Sequence, residues 1–261
     1  MIISVCGKGG SGKSVLTALV AHALGTRGYT VLVVDADESN SGLYRYLGVE
    51  KPPKPLMELL GGKEAVKGSI GNRDVFSEPS ISIASLPDAF LTSAGNLRLA
   101  AIGKIHQALE GCACPMGVLN REFLKKLTLG QDEIAVVDME AGVEHFGRGI
   151  EEAVDSILLV VEPSMESISL AERIQTLAAG MGKSLWAVLN KIGSESIQAT
   201  LQSQLDERGI RTAGVIPDDP SIFEACLEGR RIDSDKAFEA VSGMVGRLLE
   251  ESPGEPAQQG I

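Results

Sequence analysis

The chain has 261 residues, 44% of them hydrophobic and 4% aromatic, and a formal net charge of −11. That length and apolar fraction suit one large globular domain. The acidic balance argues against a nucleic-acid partner, which needs clustered Lys and Arg, and the few aromatics argue against base-stacking platforms.

The first residues, MIISVCGKGG, have no basic start, no long apolar stretch and no small-residue cleavage site. No apolar run approaches the roughly 20 residues a membrane span needs. A cytoplasmic protein without a membrane partner is therefore expected. Four cysteines in so long a chain do not make a disulfide framework. Thiols close together in a reducing compartment point instead to metal binding or chemistry.

The predicted elements alternate. A strand at 2–5 leads through a glycine-rich turn to a helix over 14–28, where Leu16, Leu19, Val20, Ala23 and Leu24 form a helical stripe and Gly25 and Gly28 are stops. A strand follows at 30–35. The region from about 50 to 130 is less regular and reads as an insertion. It holds three prolines in EKPPKP (50–55), strands at 80–87 and 96–103, and a short helix at 119–127. Strands at 133–138, 156–161, 184–190 and 212–217 then alternate with helices near 146–154, 165–180 and 195–208. Such repeats with continuous apolar strands imply an α/β fold, a mostly parallel twisted sheet flanked by helices on both faces. One domain over 1–250 is expected, with the polar tail 251–261 disordered.

GKGGSGKS (7–14) fits the phosphate-loop pattern G-x-x-x-x-G-K-[ST], between a strand and a helix as that motif requires. Glycines let the backbone turn its N–H groups toward phosphate oxygens, and the helix start adds positive dipole. The cradle comprises Gly7, Lys8, Gly9, Gly10, Ser11, Gly12, Lys13, Ser14 and the adjoining Val15. Lys13 is expected to neutralise ATP phosphate charge, and Ser14 to ligate Mg²⁺. Asp35, Asp37 and Asp138 stand at strand ends, where carboxylates face the nucleotide crevice of open α/β sheets. Asp138 is expected to hold Mg²⁺ through water.

The second lysine, Lys8, gives a KGGxGK loop. It resembles the deviant phosphate loop of the family of MinD, ParA and nitrogenase iron protein ATPases. That resemblance implies an ATP-dependent homodimer in which Lys8 reaches the partner's nucleotide. It also implies that Asp37 orients the attacking water and joins the Mg²⁺ site. Lys8, Lys13 and Asp37 are thus the expected catalytic residues. Asn190 and Lys191 of VLNK and Pro217 of VIPDD fall where the family contacts the base.

Cys112 and Cys114 form a C-x-C beside Pro115 and Gly117. In extended chain the two thiols share one face and could hold one soft ion. Two ligands are an incomplete site, and a symmetric dimer would supply four. The other reading is a pair of small apolar residues in a loop or interface. Cys6 and Cys226 read as structural, His145 as a solvated or hydrogen-bonded histidine rather than a metal ligand, and Arg148 as a structural or salt-bridging residue rather than a catalytic finger.

With C-x-C, DMEAGVEHFGRGI (138–150) and VEPSMESI (161–168), nearly the whole chain resembles the CooC family, nickel-handling ATPases that mature carbon monoxide dehydrogenase. The resemblance implies Ni²⁺, or Zn²⁺ in the same site, held between protomers by Cys112 and Cys114. The implied client is carbon monoxide dehydrogenase or a related acetyl-CoA synthase. The chain has Ser11 and Ser14 where many relatives have Val and Thr, and it lacks a Pro common after the second Asp. Two other readings stand beside this one. One is a ParA- or MinD-like positioning ATPase, the other an iron–sulphur carrier or electron-donor ATPase.

Overall fold

A computed structural model describes residues 1–39, 42–69, 76–104 and 114–251. Among them, eight strands form one sheet. They are β1 (Ile2–Gly7), β2 (Thr30–Asp35), β3 (Thr92–Ala94), β4 (Leu97–Ala101), β5 (Glu133–Asp138), β6 (Ser156–Val161), β7 (Ser184–Ile192) and β8 (Arg211–Pro217). Their order is β3-β4-β2-β5-β1-β6-β7-β8. All pairings are parallel except β3 with β4.

Every residue of β1 and β6 is buried, which is why they read as unbroken apolar runs. One face of the sheet carries Leu32, Val137 and Leu159 into a core with Leu119 and Phe123. The other carries Val5, Val33 and Val136 against Leu16, Leu19 and Val20. The larger helices are α1 (Lys13–Thr26), α5 (Cys114–Lys126), α7 (Met165–Gly180), α8 (Glu195–Asp206), α9 (Pro220–Glu228) and α10 (Asp235–Glu251). Short helices α2 (Leu43–Tyr46), α3 (Leu56–Leu59), α4 (Lys63–Ser69) and α6 (Glu144–Gly147) fill the connections. Helix α10 packs on α1 and β8 and buries Ala237, Val241, Met244, Val245 and Leu248, so its apolar stripe is committed to the core.

Parallel register sets the site. Asp35 and Asp138 are paired positions at the ends of β2 and β5, and Val5 of β1 pairs with Asp138 on its other side. The phosphate loop, the two carboxylates and the ends of β6 and β7 therefore meet at one edge. Crevices outside strand carboxyl ends are where ligands bind in such sheets.

The expected strand at 80–87 is not formed. Ile81 makes a single bridge to Leu127, and Ile83–Ser85 is a 3₁₀ turn. Ser82 and Ser85 cap it reciprocally, side chain to backbone, and these local bonds compete with a ladder. Likewise 146–154 is not one helix, because α6 ends at Gly147 and a 3₁₀ turn follows at Ile150–Ala153. Gly149 between them has φ 69°. The expected strand at 96–103 is β4, and the short helix at 119–127 begins earlier, at Cys114. The tail 252–261 lies outside the described residues.

Phe123 of α5 is fully buried, its ring 6.1 Å from that of Phe76. Phe123→Ala should cost about 3–5 kcal/mol in urea unfolding. A loss below about 1 kcal/mol would show that α5 does not share the core.

Candidate functional site: a phosphate loop with buried carboxylates

Gly7 leaves β1 at φ 146°, and a Cβ there would stand 2.7 Å from the Val160 carbonyl. Gly12 has φ 101°, and a Cβ there would collide with the Asn190 amide. Only glycine meets both the angle and the space. Gly12 is the N-cap of α1 and brings no side-chain cap, and the first turn carries no acidic residue. The first turn of α1 thus brings no carboxylate of its own to compete with an anion at the helix start.

Neighbouring strand ends hold the loop by its carbonyls. Asn190 Nδ2 donates to the Ser11 carbonyl at 2.7 Å, Lys191 Nζ to the Gly10 carbonyl at 2.6 Å, and Gly142 N–H to the Gly7 carbonyl at 3.2 Å. Asn190 lines the cavity, but one amide N–H is spent on the loop and not on a base edge. Lys13 is buried, with Nζ 3.4 Å from the Lys8 carbonyl. Lys8 turns outward to Glu162 at 2.9 Å, and Lys191 binds the other oxygen of Glu162 at 3.0 Å.

A cavity of about 760 Å³ lies over the loop. Gly9, Gly10, Gly12, Lys13, Ser14, Val15 and Asp37 line one part of it, with Asn190, Lys191 and Pro217. Gly7, Lys8 and Ser11 do not line it. Their roles are to turn the strand, to face Glu162 and to accept from Asn190. Asp218 of VIPDD also lines it, and sequence reading missed Tyr46, Ile222 and Phe223, which do too.

Ser14 Oγ donates to Asp138 Oδ2 at 2.6 Å, and Thr17 Oγ1 lies 3.5 Å from Oδ1. Asp138 has no exposed surface. Burial first, then the charge of Asp35, push its carboxyl up to about 7 against the Ser14 bond. Burial likewise pushes Asp35 up to about 6, although Lys104 donates to it at 2.7 Å. Lys104 also donates to the Asp37 carbonyl at 2.5 Å, while Ser39 N–H and Oγ bind Asp37 Oδ1 at 2.9 and 2.6 Å. Ser39 thereby orders the turn that carries Asp37 without the proline. A hydroxyl and buried carboxylates are hard oxygen donors whose repulsion a small divalent cation relieves, so the set fits Mg²⁺.

His145 is fully buried. Nδ1 is 2.5 Å from Glu151 Oε1, and Nε2 is 3.2 Å from the Gly142 carbonyl, which can only accept. The histidine braces Gly142, whose N–H holds the loop. Arg148 pairs with Glu140 and its side chain covers Gly117, where a Cβ would stand 2.5 Å from Arg148 Cδ. Cys6 is buried, which raises its thiol pKa, and Cys226 is half-buried at the cavity wall. Cys112 lies outside the described residues, and so does the side chain of Cys114, the first residue of α5.

Both flanks of that cysteine segment are held, the entering one at the nucleotide site. On the entering side, Lys104 grips Asp35 and Asp37. On the leaving side, Gly117 lies under Arg148, and Met116 packs on Gly103, where a Cβ would meet its Sδ at 2.8 Å.

Comparison with known proteins agrees with this geometry. Residues 2–232 match the CobQ/CobB/MinD/ParA nucleotide binding domain, and the chain belongs to that family. It is 41% identical over 240 residues to an uncharacterized ATP-binding protein of Methanocaldococcus jannaschii, covering 90% of this chain and 95% of that one. It is 31% identical over 262 residues to the carbon monoxide dehydrogenase accessory protein CooC of Rhodospirillum rubrum, covering 95% and 97%. Among solved structures, MinD of Pyrococcus horikoshii complexed with Mg-ADP superposes with a TM-score of 0.71 at 20% identity, covering 98% and 99%. MinD of Pyrococcus furiosus gives 0.69 at 23%, covering 95% and 98%. These two show the shared α/β fold. The chain is a P-loop ATPase.

The raised carboxyl of Asp138 fixes a pH dependence. Its folded value, about 7, lies above the ordinary 3.8, so its contribution to stability is full below about 4 and is lost as pH rises through 7. Without Mg²⁺, Asp138→Asn should therefore gain stability relative to wild type between pH 4.5 and pH 8. Thermal unfolding in EDTA checks this, and a difference flat across that range contradicts it.

Proposed function

We propose that this ATPase carries nickel between two copies of itself and assists its insertion into carbon monoxide dehydrogenase or a related acetyl-CoA synthase. Three things support the reading: the C-x-C of Cys112 and Cys114, the 31% identity to CooC over nearly both chains, and the anchoring of the cysteine segment on Asp35, Asp37 and Arg148. The last observation carries it, because through Lys104 it gives the nucleotide site a physical hold on the entering flank of the thiol pair.

In this reading the loop amides and Lys13 take the phosphates of ATP, and Asn190, Lys191 and Pro217 border the base. Ser14 and Asp138, with Asp37, would hold Mg²⁺, which would supply charge neutralisation to the phosphates. Asp37 orients the water that attacks the terminal phosphorus. The bond to the bridging oxygen breaks, leaving ADP and inorganic phosphate. Most of the catalysis is positioning and electrostatics. Lys8 reaches the nucleotide of the second copy. Once the terminal phosphate has gone, Asp37 and the 138–150 segment lose a partner, and their new positions pull on Lys104 and Gly117.

Nickel, or zinc in its place, is cargo. Two thiolates from each copy would give a four-sulphur site suited to a soft or borderline ion. The positioning-ATPase alternative gains nothing from α10, whose apolar stripe is buried against α1 and β8 and cannot also enter a lipid surface.

Ni²⁺ and Zn²⁺ titrations of wild type and a Cys112→Ser/Cys114→Ser variant, with mass read by light scattering, test the proposal. One metal per dimer is expected in wild type and none in the variant, while ATP binding persists in both. Equal metal binding by both proteins, or none by either, contradicts the cargo role.

A further inference from the structure

The cluster of Lys8, Glu162 and Lys191 lies at the rim of the phosphate loop. Glu162 is the first residue past the fully buried β6 and is 16% exposed. Its Oε1 accepts from Lys8 at 2.9 Å and its Oε2 from Lys191 at 3.0 Å. Lys191 adopts φ 59°, the only non-glycine residue with positive φ among the described residues, and also reaches the Gly10 carbonyl. A lysine does not take that conformation without compensating contacts. Although burial opposes it, hydrogen bonds from both lysines hold the Glu162 carboxyl below the usual glutamate range. The same bond raises Lys8 above the usual lysine value.

This has a steric and electrostatic consequence for Lys8. Its ammonium is directed along its own subunit's surface onto a carboxylate. While that charge-assisted bond stands, Glu162 competes with any phosphate of a second copy for the Lys8 ammonium. We propose that Glu162 is a latch in cis, holding Lys8 in reserve until the phosphates of a nucleotide bound by a second copy of this chain displace the carboxylate. The proposal rests on the reading of Lys8 as a lysine that acts across the dimer. It adds a competitor that sets how readily the dimer forms. Glu162 is thus a positioning residue, acting through Lys8, with Lys191 sharing its other oxygen. When Lys8 leaves, Lys191 still neutralises the carboxylate, so release strands no buried charge.

The test measures the dimerisation midpoint by light scattering with Mg²⁺ and a non-hydrolysable ATP analogue. Wild type, Glu162→Gln, Glu162→Ala, Lys8→Ala and the Lys8→Ala/Glu162→Gln double variant are compared. Analogue affinity is measured on the dilute monomers, which separates any loosening of the loop from release of Lys8. Both Glu162 variants should dimerise at about fivefold lower concentration than wild type, the scale of two exposed ion pairs released per dimer. The double variant should match Lys8→Ala. An unchanged or higher midpoint in the Glu162 variants, with a wild type that dimerises, overturns the latch alone. A wild type that stays monomeric, or a Lys8→Ala variant that dimerises like wild type, overturns the reading of Lys8 and the latch with it.

Discussion

The hydrogen bond from Asn190 to the Ser11 carbonyl, with its companions from Lys191 and Gly142, is the constraint on which the site depends. A peptide unit is planar, so fixing a carbonyl on one side fixes the following N–H on the other. Holding the carbonyls of Gly7 and Ser11 toward the strand ends turns the Lys8 and Gly12 amides away from them, while the Ser11 amide closes a turn on the Lys8 carbonyl at 3.2 Å. The cost of ordering a glycine-rich loop is met before a ligand arrives, when β6, β7 and the 138–150 segment assemble around β1. The loop is thus a product of the parallel sheet as much as of its own sequence. Gly12 shows this most directly, since the room for its missing side chain is filled by Asn190, 178 positions away in the chain.

The second organising force is charge kept from water. Register places Asp35 and Asp138 side by side, and burial makes both reluctant to ionise. An apolar pair would stabilise the fold better at neutral pH. Retaining the carboxylates creates a demand for positive charge, and each candidate for meeting it has a place. Lys104 answers Asp35, Lys13 lies beside the loop, and the hard oxygen set around Ser14 suits Mg²⁺. Lys104 also holds the Asp37 carbonyl, so one cation ties Asp35 and Asp37 to the start of the cysteine segment.

Much of this was legible in the sequence. Unbroken apolar runs ending in Asp35 and Asp138 mark buried parallel strands with carboxylates at their tips, and the glycine spacing before Lys13 has few other uses. The 3₁₀ turn at Ile83–Ser85 was not legible, because alternating Ser and Ile imitates a strand while the Ser82–Ser85 cap decides the backbone locally. Lys104 and Glu162 escaped for another reason. Each is a single charged residue just beyond an apolar strand, and only the sheet order shows what it faces. The buried pair of His145 and Glu151 is six positions apart across a turn, a spacing that no helical or strand pattern links.

These pieces make one account, in which the nucleotide controls a thiol pair through the residues that flank it. Coupling of that kind is reciprocal, so it must show in the metal affinity itself. The direct measurement is the dissociation constant for Ni²⁺ by competition with a chromophoric chelator, with and without Mg²⁺ and a non-hydrolysable ATP analogue. A change of about tenfold or more is predicted, with an equal change in analogue affinity when nickel is present. Identical nickel affinities in the two conditions, in protein shown to bind both ligands, would contradict the account and leave the phosphate loop and the two cysteines as unconnected sites.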